Sequence, residues 1–211
     1  NGSQTQSTPE YGPKDIVDLE QIAKMNRPFW LAGGCASPSA LEEALAAGAN
    51  GIQVGTAFAF CRESGTLPEI KNDIIGRYRV DQLKVRTDFA ASPTGYPFKL
   101  IPPGAEPGTA GNGDKRKLRC DLGHLRHLYL NSNNEIAYRC PAEPVNSFLK
   151  KGGEQEETRG KQCLCNGLLA TIGLGQTRNE VTELPMLTSG EDFSFLSHVL
   201  EDGATDYSAR S

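Results

Sequence analysis

The chain has 211 residues and a formal net charge of −4, with 22 basic against 26 acidic residues. Its Lys and Arg residues are scattered and form no basic stripe, which argues against nucleic acid as a main partner. No apolar stretch approaches the roughly 18 residues that span a bilayer, so a membrane partner is not expected either. The length suffices for one well-packed core.

The chain begins with a polar segment, and residues 1–14 are expected to form a flexible arm. Asp15 to Lys24 carries Ile16, Leu19 and Ile22 at helical spacing, which predicts an amphipathic helix. A proline at position 28 then favours extended backbone before it and ends the helical pattern.

Residues 28–57 predict a strand, a helix and a second strand, with a glycine turn after each strand. The first strand is the apolar run Phe29–Ala32, which is typical of a buried parallel strand and ends at Gly33-Gly34. Trp30, the only tryptophan, is expected to pack within this strand. The second strand covers 51–54 and ends at Gly55-Thr56.

The helix between these strands carries clear start signals. Ser37 is a preferred N-cap residue, and Pro38 suits the first helical position. Leu41, Ala44 and Leu45 recur at helical spacing and predict a face that packs on the sheet. The segment is therefore one βαβ unit.

Ligands of α/β folds bind at the carboxyl ends of parallel strands, and β/α barrels often hold a phosphate there. Without a Cβ, Gly33, Gly34 and Gly55 allow an anion to approach their N–H groups, and Thr56 adds a hydroxyl. The alternative is that these glycines only permit tight turns. The residues alone leave both interpretations open.

Pro68 opens a further predicted helix, whose apolar face is Ile70, Ile74, Ile75 and Tyr78. Beyond it, Val85 to Phe89 is a predicted strand. Pro102 to Lys117 is expected to be a mobile loop or linker. Three basic residues at its end are expected to form a solvated edge: Arg116, Lys117 and Arg119.

Leu118 to Leu130 has leucines at helical spacing and predicts a helix that carries His124 and His127. We interpret both as surface or core-edge histidines. Further along, a short strand is predicted at 136–138 and a short helix within Pro141–Lys151, followed by an apolar stretch at 164–173. Near the C-terminus, Ser189 and Asp192 predict a capping box. A core-facing stripe of Phe193, Leu196 and Leu200 is expected to follow it.

The six cysteines, in an acidic chain with no signal-peptide pattern, indicate reduced thiols and a cytoplasmic protein. Cys163 and Cys165 form a C-x-C pair, and Cys120 and Cys140 lie upstream. Four thiolates would suit a tetrahedral zinc site. Because two C-x-x-C knuckles are lacking, plain buried thiols are the preferred interpretation, and metal binding stays open.

Several stretches resemble the FMN-dependent nitronate monooxygenases, once called 2-nitropropane dioxygenases. LAGG at 31–34 and GIQVGTAFAF at 51–60 resemble the closing strands of that family. One branch is also similar over TDFAASPTGYPFK, RCDLGHLR, YRCPAEPV, KQCLCNGLLATIGLGQ and TSGED. The resemblance runs from about Tyr11 to the C-terminus.

The resemblance implies FMN as the cofactor, with its phosphate held at Ala32, Gly33, Gly34, Gly55 and Thr56. Cys35 departs from the aliphatic residue that many members have there, but the backbone donors are unaffected. Cys165, Asn166 and Gln176 are further expected cofactor neighbours, because the family's C-terminal region packs over the flavin side of the barrel.

The fold implied is the C-terminal portion of a TIM (β/α)8 barrel. Its last two βα units would lie at 15–85, and a mostly helical extension at 86–211 would pack on the barrel. A complete barrel needs about 250 residues and eight such units. Six strands are therefore expected to lie outside the chain, and the helix at Pro68 would lack part of its packing partner.

The activity implied is the oxidation of alkyl nitronates by oxygen to a carbonyl compound and nitrite, with the chain expected to be inactive alone. Partners would be the small-molecule substrate, a second copy, or the N-terminal half of the same enzyme. The alternatives are a trans-acting FMN- and NADPH-dependent enoyl reductase of polyketide or fatty-acid synthesis, and a catalytically silent half-barrel. No catalytic residue is assigned, since His124, His127 and His198 do not match the family's motif.

Overall fold

The computed structural model describes residues 12–102 and 116–211. These residues divide into two compact units. The parallel-strand unit consists of residues 12–84 and 189–211. The hairpin unit consists of residues 85–102 and 116–188. Most of the predicted arm and of the predicted loop at Pro102 to Lys117 lies outside the described residues.

The elements are short throughout both units. The helices are α1 (Leu19–Lys24), α2 (Pro38–Ala46), α3 (Thr56–Phe60), α4 (Pro68–Arg79), α5 (Val145–Lys150), α6 (Leu164–Thr171) and α7 (Leu196–Val199). The strands are β1 (Trp30–Ala32), β2 (Gly51–Gln53), β3 (Arg86–Asp88), β4 (Phe98–Leu100), β5 (His127–Leu130), β6 (Ile136–Arg139), β7 (Thr177–Arg178) and β8 (Val181–Thr182). No helix among the described residues is both long enough and apolar enough to cross a bilayer.

The predicted βαβ unit is confirmed. β1 and β2 pair in parallel, with Leu31 opposite Ile52, and α2 connects them. Ser37 caps α2, because its hydroxyl accepts a hydrogen bond from the Ala40 N–H at 3.1 Å. Pro38 occupies the first turn, where its missing N–H costs nothing.

The predicted burial of the first strand is wrong. Trp30 is 58% exposed, although its ring lies against Gly51, where an added Cβ would come within 3.2 Å. A two-stranded sheet has no neighbour at either edge and little to cover its faces. The face of α2 is likewise only partly covered, since Ala44 is buried while Leu41 and Leu45 stay exposed.

The core of the parallel-strand unit forms around α4. Ile70, Ile74 and Ile75 are buried, so the apolar face that we expected to lack a partner is covered. A chain of aromatic contacts runs beside it, with ring centroids 5.9 to 6.1 Å apart, through Phe60, Phe193, Phe195 and Tyr207. Three of these rings come from the last 23 residues, which we had assigned to the extension.

The C-terminal segment has a different local structure from the predicted one. α7 has four residues, and the Ser189 hydroxyl donates to the Gly190 carbonyl instead of capping a helix. The Asp192 carboxylate accepts the Ser194 N–H at 2.8 Å. Of the predicted stripe, Phe193 and Leu196 are buried, and Leu200 is only half-buried. Local polar contacts near Asp192 replace the expected capping box.

The end of the chain is tied to the turn after α3. The Tyr207 hydroxyl donates to the Ala57 carbonyl at 2.6 Å, and the Arg62 N–H donates to the Tyr207 carbonyl at 2.8 Å. Glu63 accepts two hydrogen bonds, from the Ser208 hydroxyl at 2.7 Å and the Ala209 N–H at 2.8 Å. These donors stabilise the carboxylate and lower the pKa of Glu63 to about 2.

The hairpin unit is built from antiparallel pairs: β3 with β4, β5 with β6, and β7 with β8. The predicted strands at Val85–Phe89 and 136–138 are confirmed as β3 and β6, and the predicted short helix as α5. The core of the hairpin unit contains Ala91, Leu100, Leu164 and Met186.

The predicted helix at Leu118 to Leu130 is wrong, because residues 127–130 form β5. Gly123 has a φ of 77°, which no right-handed helix contains. The side chain of Asn131 then accepts the N–H groups of Asn133 and Glu135 and fixes a hairpin turn.

The prediction of a solvated basic edge is wrong for Arg116. Its side chain is almost enclosed and donates to Glu183 at 3.1 Å and to the Leu184 carbonyl at 2.7 Å. Burial lowers the pKa of this guanidinium, and the charge of Glu183 opposes that effect.

We predict that the contacts of Glu63 are lost in acid. Its folded pKa of about 2 lies below the ordinary value of 4.5, so its stabilising contribution is present above pH 4.5. That contribution falls as the pH drops from 4.5 towards 2. At pH 7 the natural chain should therefore have a higher thermal midpoint than Glu63→Gln. The difference between the two midpoints should shrink as the pH falls from 4.5 towards 2.

Glu42→Gln serves as the matched control, since it removes an exposed carboxylate from α2 in the same unit. Its midpoint difference from the natural chain should change less over the same pH range. A Glu63→Gln difference that stayed constant from pH 7 to pH 2.5 would show that the two donors do not stabilise the ionised carboxylate.

Candidate functional site

The two glycine turns leave the same ends of two neighbouring parallel strands. Ala32 lies opposite Gln53 in the register, so Gly33-Gly34 follows directly after β1 and Gly55-Thr56 follows one residue later after β2, at the same end of the strand pair. Neighbouring strands are about 4.8 Å apart in a sheet. The prediction that both turns converge at one end of the strand pair is confirmed.

The two turns differ in conformation. Gly33 and Gly34 have φ angles of 97° and 67°, in the left-handed region that favours glycine, whereas Gly55 has an ordinary φ of −104°. An added Cβ at Gly33 or Gly55 would meet nothing within 4 Å. The space on the Cβ side of both residues is therefore open.

Cys35, the departure from the family pattern, makes a contact within its own loop. Its thiol lies 3.3 Å from the Gly33 carbonyl oxygen, to which it donates. The contact uses a carbonyl and leaves the N–H groups of Gly33 and Gly34 as the candidate donors.

Residues of the C-terminal segment also lie at this site, although no sequence pattern placed them here. The Gly190 N–H donates to the Thr56 hydroxyl oxygen at 3.1 Å, and the Ser189 hydroxyl lies 3.5 Å from the same oxygen. An added Cβ at Gly190 would come within 2.9 Å of that oxygen, so a larger residue there would require Thr56 to shift. The sequence signal for these residues is the TSGED motif, which is part of the family resemblance but to which that resemblance assigns no role.

Asp192 brings a negative charge to the first turn. An added Cβ at Gly34 would lie 3.7 Å from the Asp192 carboxylate oxygen Oδ2. Two like charges 4 Å apart repel by about 1 kcal/mol in bulk water and about 4 kcal/mol near a protein surface. This carboxylate would therefore oppose the binding of an anion beside Gly34, whereas backbone N–H donors would favour it.

The other expected cofactor neighbours belong to the hairpin unit. Asn166 is only 1% exposed, and its amide contacts Asp121 at 2.7 Å, Cys163 at 3.3 Å and Arg178 at 3.1 Å. The side-chain amide of Asn166 is thus hydrogen-bonded to other groups of the protein. Burial opposes ionisation of Asp121, but the hydrogen bonds from Asn166 and Arg178 outweigh it and lower the pKa.

The histidines show no shared site. His124 lines an open apolar cavity of about 610 Å³ in the hairpin unit, together with Leu125, Leu164 and Cys165. His127 lies on the exposed strand β5, and His198 lies on the exposed side of α7. We therefore assign no catalytic role to any of the three histidines.

Comparison of the chain with protein-family models, with curated proteins and with solved structures finds no match. The resemblance to the nitronate monooxygenases therefore depends on the quoted motifs. In the part of the chain that the structure describes, no three His, Cys, Asp or Glu side chains are already arranged to hold a metal ion.

We predict that Asp192→Asn strengthens the binding of phosphate or FMN by roughly three- to tenfold. The change removes one charge, worth about 1 kcal/mol for two like charges 4 Å apart in water, and it keeps an oxygen that accepts the Ser194 N–H. Isothermal titration with inorganic phosphate and with FMN measures the two dissociation constants.

Asp202→Asn, which removes an exposed carboxylate from the same unit, is the matched control. It should change the dissociation constants by less than about twofold, because exposed charges are screened beyond about 10 Å. Equal effects of the two substitutions would show that Asp192 does not face the bound anion.

Proposed function

We propose that this chain carries the phosphate-binding part of an FMN-dependent oxidoreductase of the nitronate monooxygenase type. The observation that carries the proposal is the parallel register of β1 and β2, with a glycine turn after each strand. The carboxyl ends of parallel strands are where α/β folds bind nucleotides and phosphates. The motifs LAGG and GIQVGTA lie at those ends.

The donors that the two turns offer are of the type that binds a phosphate group. The N–H groups of Gly33, Gly34 and Gly55 are the proposed donors, and Ala32 ends the strand that presents the first turn. Thr56 accepts from Gly190, which leaves its own hydroxyl hydrogen to donate to a phosphate oxygen. A bound flavin would supply the redox chemistry that converts an alkyl nitronate and oxygen to a carbonyl compound and nitrite.

Exposure of the strand pair supports the proposed barrel portion. The described residues close no barrel, and β1 and β2 have an open edge on each side. Trp30 is exposed on β1, where a further strand or helix would cover it. In the proposal, residues outside this chain supply the remaining strands, from a second copy or from the N-terminal half of the same enzyme.

A catalytically silent module is the second candidate, and two observations favour it. Thr56 already binds the C-terminal segment, and Asp192 places a negative charge beside Gly34. In that case the glycine turns serve the fold by receiving the segment at Ser189 to Asp192. Cofactor binding distinguishes the two candidates, because a silent module has no affinity for FMN.

We predict that Gly34→Val weakens FMN binding at least tenfold and that Cys35→Ala changes it less than about twofold. Valine is strained at a φ of 67°, and its branches would stand between the backbone donors and the phosphate. Cys35 contributes its backbone alone. Flavin fluorescence during titration of the full-length protein gives both dissociation constants.

Circular dichroism and thermal unfolding of each variant establish that the fold is retained. A second variant, Gly34→Ala, adds strain and a single methyl group, and should fall between the other two. Similar FMN affinities for Gly34→Val and Cys35→Ala would show that this turn does not contact the cofactor.

A further inference from the structure

A small cavity in the hairpin unit, which we call the basic cavity, is lined mainly by cationic side chains. Its volume is about 180 Å³. Glu183 is the single carboxylate among the described residues that line it. The cations that line it are Arg116, Lys117, Arg119 and Arg178. The walls therefore carry an excess of positive charge.

Carboxylates neutralise two of the arginines. Arg116 donates to one oxygen of Glu183 at 3.1 Å, and Arg178 lies 3.7 Å from the other oxygen. Arg178 also pairs with Asp121 and donates to the side-chain carbonyl of Asn166 at 3.1 Å. Two guanidinium charges thus meet two carboxylate charges, and this part of the wall is close to neutral.

The same contacts make this wall rigid. The side chain of Arg116 is only 7% exposed. Besides Glu183, it donates to the backbone carbonyls of Leu184 and Pro185. A wall that is already held by such contacts loses little conformational freedom when a ligand binds.

Lys117 and Arg119 supply the charge that is left over. Neither side chain has a hydrogen-bond or ion-pair partner among the described residues. Lys117 is exposed and Arg119 is half-buried. Cations on a convex surface are simply solvated, whereas a cleft lined by charges of one sign concentrates counter-ions. Two uncompensated positive charges match the charge of one dianion.

The turn that joins β7 to β8 also lies at the basic cavity, and its backbone is unusual. Asn179 and Glu180 have φ angles of 49° and 66°. A two-residue hairpin turn with two such angles favours Asn followed by Gly, and a glutamate is disfavoured in the left-handed region. Disfavoured backbone of this kind is concentrated at binding sites.

Of these two turn residues, Asn179 lines the basic cavity and Glu180 does not. The amide of Asn179 offers a neutral hydrogen-bond donor beside the cations. Glu180 is exposed. The turn thus adds a donor to the cavity wall without adding a negative charge to it.

The size of the basic cavity limits its ligand. Pockets that enclose drug-sized ligands measure about 300 to 1,000 Å³, and this cavity is smaller. A single phosphate group suits the available space, whereas a whole nucleotide does not. Arg and Lys are also the side chains that most often bind phosphate oxygens, Arg through its planar fork and Lys as a point charge.

We propose that the basic cavity binds a phosphate group, either as the free ion or on a small phosphorylated molecule. Arg119 and Lys117 are its cationic ligands, and Asn179 is a neutral donor. Arg116 and Arg178 form the rigid wall behind them. This site is additional to the proposed FMN phosphate site, whose glycine turns belong to the parallel-strand unit.

Titration of the ¹⁵N-labelled protein with inorganic phosphate tests the proposal. The readout is the set of backbone amide signals of Arg119, Asn179 and Thr182, which all line the cavity. These signals should shift and reach saturation. The amide signals of the glycine turns are resolved separately, so binding at one place is not mistaken for binding at the other.

Arg119→Gln should weaken phosphate binding about five- to tenfold, because it removes one of the two uncompensated charges. Arg119→Lys keeps the charge but loses the planar fork, so its dissociation constant should lie between those of the natural chain and Arg119→Gln. Lys150→Gln is the matched control, since it removes an exposed cation at the end of α5 in the same unit. It should change the dissociation constant by less than about twofold. The amide spectrum also shows that each variant is folded.

Glycerol phosphate, titrated in the same way, distinguishes the two sources of the phosphate group. Tighter binding than that of inorganic phosphate would identify a small phosphorylated molecule as the ligand. Equal or weaker binding would identify the free ion. Acetate, which carries a single charge, should bind several-fold more weakly than either.

Two results would overturn the proposal. The first is the absence of any saturable shift at Arg119, Asn179 and Thr182 when phosphate is added to the natural chain. The second is an equal loss of affinity in Arg119→Gln and Lys150→Gln, which would show that phosphate responds only to overall charge. Neither result affects the FMN proposal, because its readout lies at the glycine turns.

Discussion

The parallel pairing of β1 with β2 is the constraint on which the candidate site depends. Two consecutive strands can run parallel only if a crossover returns the chain to its starting end, and α2 provides that crossover. Both strands then end at the same edge of the sheet. The turns at Gly33-Gly34 and Gly55-Thr56 become neighbours for this reason alone, although about 20 residues separate them. An antiparallel pairing would have placed them at opposite edges, where no single anion reaches both.

Local signals made this part of the fold predictable. Ser37, Pro38 and the apolar runs on either side determine α2 and its two strands through caps and short-range packing. The β5–β6 hairpin was not predictable in the same way, because Leu122, Leu125 and Leu128 fit a helical period as well as they fit loop and strand positions. Gly123 and the Asn131 turn decided the outcome. The exposure of Trp30 depends on which elements cover the strand pair, and the local sequence does not contain that information.

The candidate site likewise has a part that the sequence made predictable and a part that it did not. The glycines and Thr56 were recognisable as a motif, since each follows a strand. Ser189, Gly190 and Asp192 were not, because more than 130 residues separate them from Thr56. Their contribution is also chemically mixed: the Gly190 N–H donates to Thr56, whereas the charge of Asp192 would repel an anion. The same holds for Cys120, Cys140, Cys163 and Cys165, which are separated in the sequence and brought into one core by the fold. Local patterns thus locate donors, and tertiary structure decides which of them act together.

The central claim is that the two glycine turns bind the phosphate of FMN. Backbone amide NMR of the ¹⁵N-labelled protein tests it most directly, with FMN and riboflavin titrated in parallel, because the two ligands differ only in the phosphate. The account predicts that the amide signals of Gly33, Gly34 and Gly55 shift with FMN and stay in place with riboflavin at the same concentration. Equal shifts with both flavins, or shifts confined to residues away from these turns, would contradict it.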